Sequence, residues 1–214
     1  MIKIDLPPAW TNISVGEYLD IQELVTENAG KMEDEDIVLN EIQILFGRNP
    51  YTMQIGEFKK CVEALSFLST SIPKMKVKDE YWLNGNKYYL HKKLNDFKVA
   101  QFIDYEQIMK NNKGIEAYPQ FISLFLTPSS DAVYGDGYDV AAVADDVRKY
   151  MSIADANSIA GFFLLKSKAF IVTFLWSIHR STMKLMKDRK SRRAMRKKTR
   201  QLMRMVMRGD SLRY

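Results

Sequence analysis

The stretch VGEYLDIQELV (15–25) decides how the chain is organised, because a counterpart, VAQFIDYEQIM (99–109), follows it 84 residues later. The two segments agree in polarity at nearly every position, and both place apolar residues at helical spacing. The segments that come next also correspond, as VLNEIQILFG (38–47) with YPQFISLFLTP (118–128), and MQIGEFKKCVEALSFL (53–68) with YDVAAVADDVRKYM (138–151). The pattern predicts a mainly α fold with two similar units, each of one strand segment and three short helices.

Amphipathic helices also resemble one another by default, so ordinary helical patterning is the alternative to duplication. On the duplication hypothesis, residues 1–155 form a duplicated helical body, with units at about 2–72 and 80–155. An apolar core or interface helix follows at 156–178. Residues 179–214 then form a basic, Met-rich helical arm, so that one long C-terminal helix could run from about residue 154 to about residue 207.

Local signals refine this fold class. Ser14 and Glu17 have the S-x-x-E spacing of a capping box, and Asp139 can cap the helix that follows it. Within YWLNGNKYYL (81–90), Asn84-Gly85 separates two aromatic runs and predicts a small β-hairpin, because a type I′ turn needs positive φ at both central residues. IKIDL (2–6) is predicted to add a third strand.

Charge is distributed unevenly along the chain. Residues 179–214 contain 14 Lys/Arg and 2 Asp/Glu, a net charge of +12, whereas residues 1–178 contain 18 and 24, a net charge of −6. The single cysteine, Cys61, excludes an internal disulfide, and the N-terminus lacks an apolar run of signal-peptide length. We expect a protein made and kept in a reducing cytoplasm.

The sequence contains no familiar catalytic or phosphate-binding motif: G-x-x-x-x-G-K-[ST], G-x-G-x-x-G, H-E-x-x-H, C-x-x-C and G-x-S-x-G are all missing. Two histidines, His91 and His179, disfavour a His-based metal site, and we interpret His91 as a surface or partly buried side chain. We therefore expect no catalytic, cofactor or metal site, and a protein that is not an enzyme.

Other candidate groups have structural interpretations. The acidic run MEDEDI (32–37) is typical of a helix start, where negative charge is favoured. YGDGYD (134–139), with Asp131 just before it, does not fit a calcium loop and predicts a turn leading into a helix. We interpret three tryptophans as core anchors: Trp10, Trp82 and Trp176.

The apolar stretch 159–178 raises the question of a membrane span. Lys166 and Lys168 fall in its middle, and each central lysine costs roughly 2.5–3.5 kcal/mol on the insertion scale. A core helix packed between the two units fits this pattern better than a span does.

The basic arm allows three interpretations: a solvated helix or disordered tail, a non-specific nucleic-acid contact, or docking to an acidic protein groove. It has no aromatic residue between 180 and 213 to stack on bases. The candidate polyanion or partner contacts are Arg189, Lys190, Arg192, Arg193, Arg196, Lys197, Lys198, Arg200 and Arg204. The candidate apolar contacts are Met183, Met186, Met195, Leu202, Met203 and Val206.

The stretches IDLPPAWTNISVGEYLDIQEL (4–24) and YDVAAVADDVRKYMSIADANSIAGFFLLKSKA (138–169) resemble virion-assembly proteins of tailed bacteriophages, in particular tail-assembly chaperone-type proteins. The resemblance implies a non-enzymatic role in the host cytoplasm, holding tape-measure helices while tail-tube subunits are recruited. The basic, Met-rich arm departs from that family and favours a virion structural protein that contacts phage structural proteins. The alternative is a packaging protein that binds DNA non-specifically through the arm. A homo-oligomer is compatible with both hypotheses.

Overall fold

The computed structural model describes residues 9–28, 31–93, 98–111 and 114–166, together with Lys197. The chain divides into two compact units, Met1–Ala160 and Gly161–Tyr214. The described residues are mostly helical, as predicted, and include a small three-stranded antiparallel sheet. The helices are α1 (Val15–Glu27), α2 (Asp34–Phe46), α3 (Ile55–Ala64), α4 (Val99–Asn111), α5 (Tyr118–Ser123), α6 (Val140–Tyr150) and α7 (153–166). The strands are β1 (Glu80–Leu83), β2 (Asn86–Leu90) and β3 (Leu126–Thr127).

Helix α1 begins with the predicted capping box. The Ser14 hydroxyl accepts a hydrogen bond from the amide of Glu17 at 3.1 Å, and a Glu17 carboxylate oxygen accepts one from the amide of Ser14 at 2.8 Å. A related cap begins α7, where the Ser152 hydroxyl accepts from the amide of Asp155 at 3.1 Å. Both caps satisfy amides that have no partner inside the helix.

The two capped helix starts are paired with each other. Ser14 and Ser152 form an antiparallel bridge. The amide of Val15 donates to the carbonyl of Met151 at 3.0 Å, and the amide of Ile153 donates to the carbonyl of Ile13 at 2.8 Å. This pairing ties the beginning of the body to its last described helix.

The acidic and glycine-rich segments behave as predicted. Asp34, Glu35 and Asp36 occupy the first turn of α2. Gly135 and Gly137 have positive φ values of 72° and 75°, as the turn before α6 requires, and the Asp139 side chain caps that helix by accepting from the amide of Ala141 at 2.8 Å.

The predicted hairpin is confirmed. Asn84 and Gly85, with φ values of 52° and 74°, connect β1 to β2. The strand predicted at residues 2–6 lies outside the described residues. The third strand that the structure describes is β3, which pairs with β2 and places Thr127 opposite Tyr89. Strand β3 was not predicted: α5 ends after six residues, and the rest of its apolar segment forms a strand instead of continuing the helix.

The core is centred on residues 121–127, all of which are buried. Helix α5 packs against α6, and the alternation of β1 and β2 directs Tyr81, Leu83, Tyr88 and Leu90 inward. The Tyr88 hydroxyl donates to a carboxylate oxygen of Asp146 at 2.6 Å. Burial, together with this bond, raises the pKa of Tyr88 to about 12.

The three tryptophans differ in their surroundings. Trp10 is buried as predicted, and its ring N–H donates to the Thr70 hydroxyl at 3.1 Å. The prediction that Trp82 is a core residue is wrong, because it is 69% exposed. The strand alternation that buries Tyr81 turns its neighbour Trp82 to the outer face of the sheet. Trp176 lies outside the described residues.

The repeat pattern correctly locates helices in both halves of the body. Helices α1 and α4, on the two aligned stretches, have 13 residues each. Helices α2 and α5 differ, with 13 and six residues, because the second segment continues into β3. A common origin of the two repeated segments, at about 2–72 and 80–155, stays a prediction.

In the second unit, the structure describes residues 161–166 and Lys197. The Phe162 and Phe163 rings meet edge to face at 5.1 Å between centroids, and the Lys166 ammonium lies 4.3 Å from the centre of the Phe162 ring. Across the described ranges of the chain, no helix has the length and apolar content needed to span a membrane. The predicted apolar helix 156–178 lies outside the described residues beyond residue 166.

Candidate interaction surfaces

The negative charge of the body is concentrated in residues 15–46, which we call the acidic hairpin. This segment, comprising α1, α2 and their connection, carries nine acidic residues and one basic residue, Lys31, for a net charge of −8. The rest of residues 1–178 therefore has a net charge of +2. The acidic residues of the hairpin are Glu17, Asp20, Glu23, Glu27, Glu33, Asp34, Glu35, Asp36 and Glu41.

One face of α1 lines a groove of about 680 Å³, which we call the acidic groove. Residues spaced three and four apart along a helix share a face, and α1 contributes five of them. The short 3-10 helix Ile115–Ala117 and the exposed Arg148 of α6 complete the lining. The lining residues are Leu19, Gln22, Glu23, Thr26, Glu27, Gly114, Ile115, Glu116 and Arg148.

The groove combines apolar and acidic chemistry. Leu19 and Ile115 are half-buried, so part of their apolar surface still faces solvent. Three carboxylates surround them, from Glu23, Glu27 and Glu116. The lining also contains one cation, Arg148, whose guanidinium lies 3.7 Å from a carboxylate oxygen of Asp20. This arrangement suits a ligand that carries positive charges beside an apolar edge.

The acidic residue at the C-terminal end of α1 does not stabilise that helix. Glu27 is the last residue of α1, and no basic residue occupies its last turn. A negative charge near a helix C-terminus opposes the helix dipole, whereas Asp34 and Glu35 at the start of α2 complement it. The carboxylate of Glu27 is therefore placed against the preference of its own helix.

Burial also affects one carboxylate at the base of the acidic hairpin. Glu41, on α2, is half-buried, and loss of hydration raises its pKa above the ordinary value. Both helices of the hairpin are anchored by buried apolar residues, Ile21 on α1 and Ile42 on α2. The hairpin thus presents its charge outward from an apolar base.

The binding residues predicted in the arm lie outside the described residues, apart from Lys197, which is helical and exposed. The acidic groove was not predicted. Its only signal in the sequence is the helical spacing of Leu19, Glu23 and Glu27, which is also that of an ordinary amphipathic helix. Residues 114–116 and Arg148 join this face only through folding, so their contribution has no local signature.

Among the residues that the structure describes, no group of three or more His, Cys, Asp or Glu side chains could hold a metal ion. Cys61 is buried with a free thiol, and burial raises its pKa. Comparison with known proteins gives no match to a family model, a curated protein or a solved structure.

Proposed function

We propose that this chain is a non-enzymatic assembly protein that binds other structural proteins through its helical body and its basic arm. In the body, the acidic groove receives a Lys/Arg-rich helical segment of the partner. The observation that carries the proposal is the placement of Glu23 and Glu27 beside half-buried Leu19, with Glu27 at a helix end where a carboxylate is unfavourable. A cationic helix would supply the missing charge and cover the apolar edge.

The biological setting follows from the resemblance to tailed-phage assembly proteins. We propose a role in the host cytoplasm during virion assembly, with phage structural proteins as partners. The finer architecture belongs to the same proposal: two similar units, supported by the matching 13-residue helices α1 and α4, and a long C-terminal helix that presents the arm. Presence in mature particles would identify a structural component, and absence would identify a chaperone.

A photo-crosslinking experiment tests the groove. A photoreactive amino acid replaces Gln22, on the groove, or Gln43, an exposed glutamine on α2, in the full chain produced together with the other assembly proteins. We expect the Gln22 position to form an adduct with a Lys/Arg-rich helical peptide of another protein. The Gln43 position should not form that adduct, because it lies outside the groove lining.

Charge variants provide the matched control. Glu23→Gln with Glu27→Gln should greatly reduce the Gln22 adduct, whereas Glu35→Gln with Asp36→Asn removes the same charge elsewhere on the hairpin and should not. Equal loss in both double variants would mean that only overall charge matters. That result, or an adduct with a non-basic segment, would contradict the proposed groove.

A second candidate function is non-specific DNA binding through the arm, favoured by its net charge of +12. Binding to duplex DNA should weaken steeply with salt, because each phosphate contact releases counterions. Replacing Arg192, Arg193, Arg196 and Lys197 with glutamine in the full chain should reduce the magnitude of the log–log salt slope by about 0.9 per contact removed. An unchanged slope would show that these residues do not contact phosphates.

A further inference from the structure

The outer face of the small sheet alternates basic and aromatic side chains. Lys87 and Tyr89 lie on β2, and both point away from the buried Tyr88 and Leu90. His91 continues this face, because its amide donates to the carbonyl of Phe125 at 2.9 Å and so extends the ladder between β2 and β3. The exposed Lys93 follows two residues later.

Trp82 adds a second aromatic ring to this face. It lies directly opposite Lys87 in the register of β1 and β2, which makes Tyr89 its diagonal neighbour. Diagonal neighbours across a strand pair are about 7–8 Å apart, within reach of large aromatic side chains. With 69% of its surface exposed, Trp82 offers an apolar plane that the described fold leaves open to solvent.

The lysine on this face is held between an acid and a ring. The Lys87 ammonium lies 2.8 Å from a carboxylate oxygen of Glu80 and 4.9 Å from the centre of the Tyr89 ring. Both contacts fix its position beside the aromatic side chains. The ion pair with Glu80 is partly exposed, so a phosphate can compete for the ammonium at little cost.

The surrounding segment has the opposite charge to the acidic hairpin. Residues 73–93 contain six lysines and two acidic residues, a net charge of +4. Lys74, Lys76 and Lys93 are exposed. The sheet region therefore attracts anions, while the acidic hairpin repels them.

We propose that the outer face of the sheet binds single-stranded nucleic acid. Trp82 and Tyr89 stack on bases, and Lys87 and Lys93 contact phosphates. Every base has a π-face, so such a surface binds without sequence preference, and a base-paired duplex cannot offer its stacked bases to it. This function goes beyond the proposed assembly role, and neither the acidic groove nor the arm contributes a residue to the site.

The test is titration of the full chain with an oligothymidylate of about 15 nucleotides, monitored by tryptophan fluorescence emission. The background is Trp176→Phe, so that emission comes from buried Trp10 and exposed Trp82. We expect the single strand to quench the emission, and Trp82→Phe in the same background to abolish the quenching. Trp82→Ala should weaken binding roughly tenfold. The matched control is Tyr51→Ala, which removes a 78% exposed aromatic side chain outside the sheet and should change nothing.

Further measurements separate this site from the arm. Lys87→Gln with Lys93→Gln should reduce the magnitude of the salt slope for the single strand by about 0.7 per contact. The slope for a duplex should not change. Circular dichroism checks that each variant is folded. Binding that leaves the emission unquenched and is insensitive to Trp82 would overturn the proposal. The proposal would also be overturned if Trp82→Ala lost a crosslink to another protein while its binding to nucleic acid stayed unchanged. The face would then bind a protein.

Discussion

The acidic hairpin and the basic sheet region pack on one core but differ in how far their charges are paired with neighbours of opposite charge. In the sheet region, lysines have acidic neighbours: Lys87 lies 2.8 Å from Glu80, and Lys92 lies 2.7 Å from Asp79. In the hairpin, nine acidic residues accompany one lysine, Lys31, and an ion pair from outside the hairpin joins Arg148 to Asp20 at 3.7 Å. Partial local neutralisation lets the sheet carry charge at little cost, whereas the hairpin keeps its self-repulsion. Charge with few local ion pairs is therefore a stronger indication of a partner-binding surface than the net charge alone.

The net charge of the whole chain hides the different charges of its regions. The whole chain has a net charge of +6, yet the acidic hairpin has −8, the sheet segment 73–93 has +4, and residues 179–214 have +12. A polyanion and a polycation would be attracted to different regions of the same molecule.

The largest expected effect comes from the core that supports both regions. Phe125 is completely buried, and its ring lies 5.2 Å from that of Phe121. Phe125→Ala should lower the free energy of unfolding by about 3–5 kcal/mol. Trp82→Ala, at an exposed site, should change it by less than about 0.5 kcal/mol. Urea unfolding measures both, and similar losses would show that Trp82 is part of the core after all.

Alkaline pH should destabilise the fold in part through two buried tyrosines of the sheet region. Burial raises the pKa of both Tyr81 and Tyr88 to about 12, from an ordinary value of 10. Their neutral forms stabilise the folded state fully below pH 10, and this contribution is lost as the pH rises through 12. It amounts to on the order of 2 kcal/mol for each group.

Tyr81→Phe with Tyr88→Phe should reduce the decline in unfolding free energy between pH 10 and 12, and partly buried tyrosines elsewhere, such as Tyr134, should account for the rest. Tyr51→Phe is the control, because Tyr51 is 78% exposed and should leave the decline unchanged. Equal curves for the double variant and the unaltered chain would show that the decline arises elsewhere.

Two glycines at equivalent helix positions test the packing of the acidic hairpin. Gly16 and Gly56 are the second residues of α1 and α3. A Cβ at Gly16 would lie 3.1 Å from the carbonyl oxygen of Arg148 on α6, whereas a Cβ at Gly56 would meet nothing within 4 Å. Gly56→Ala should therefore stabilise the fold by about 0.5–1 kcal/mol. Gly16→Ala should cancel that gain and destabilise, because a helix carbonyl cannot move aside freely. Thermal unfolding decides, and equal stabilisation would refute a close α1–α6 contact.

The smallest effects concern charges on the hairpin. Glu27→Gln, at the C-terminal end of α1, should stabilise by about 0.3–1 kcal/mol, and Glu35→Gln, in the first turn of α2, should destabilise by a similar amount. Both differences should shrink in 1 M salt, where the screening length is about 3 Å. Changes of the same sign would indicate that overall charge, not position along the helix, governs stability.

Local features of the fold could be predicted from the sequence because they depend on nearby residues. The partners of Ser14, Asn84 and Asp139 lie within three positions along the chain. They are Glu17, Gly85 and Ala141. Features made by distant segments could not be predicted. The strand at Leu126–Thr127 depends on where the chain turns after α5. The groove needs α1 beside residues 114–116, and the exposure of Trp82 depends on which face of the sheet the core occupies.

The bridge between Ser14 and Ser152 has a consequence for synthesis. Its two sides are 138 residues apart, so the start of α1 cannot be secured until the start of α7 has been made. At about 5–20 residues per second, that interval lasts about 7–28 s. Meanwhile the apolar residues of α1 that end up buried, Val15 and Ile21, remain uncovered on the nascent chain. Such a non-local closing contact slows folding and places the risk of misassembly early in the life of the protein.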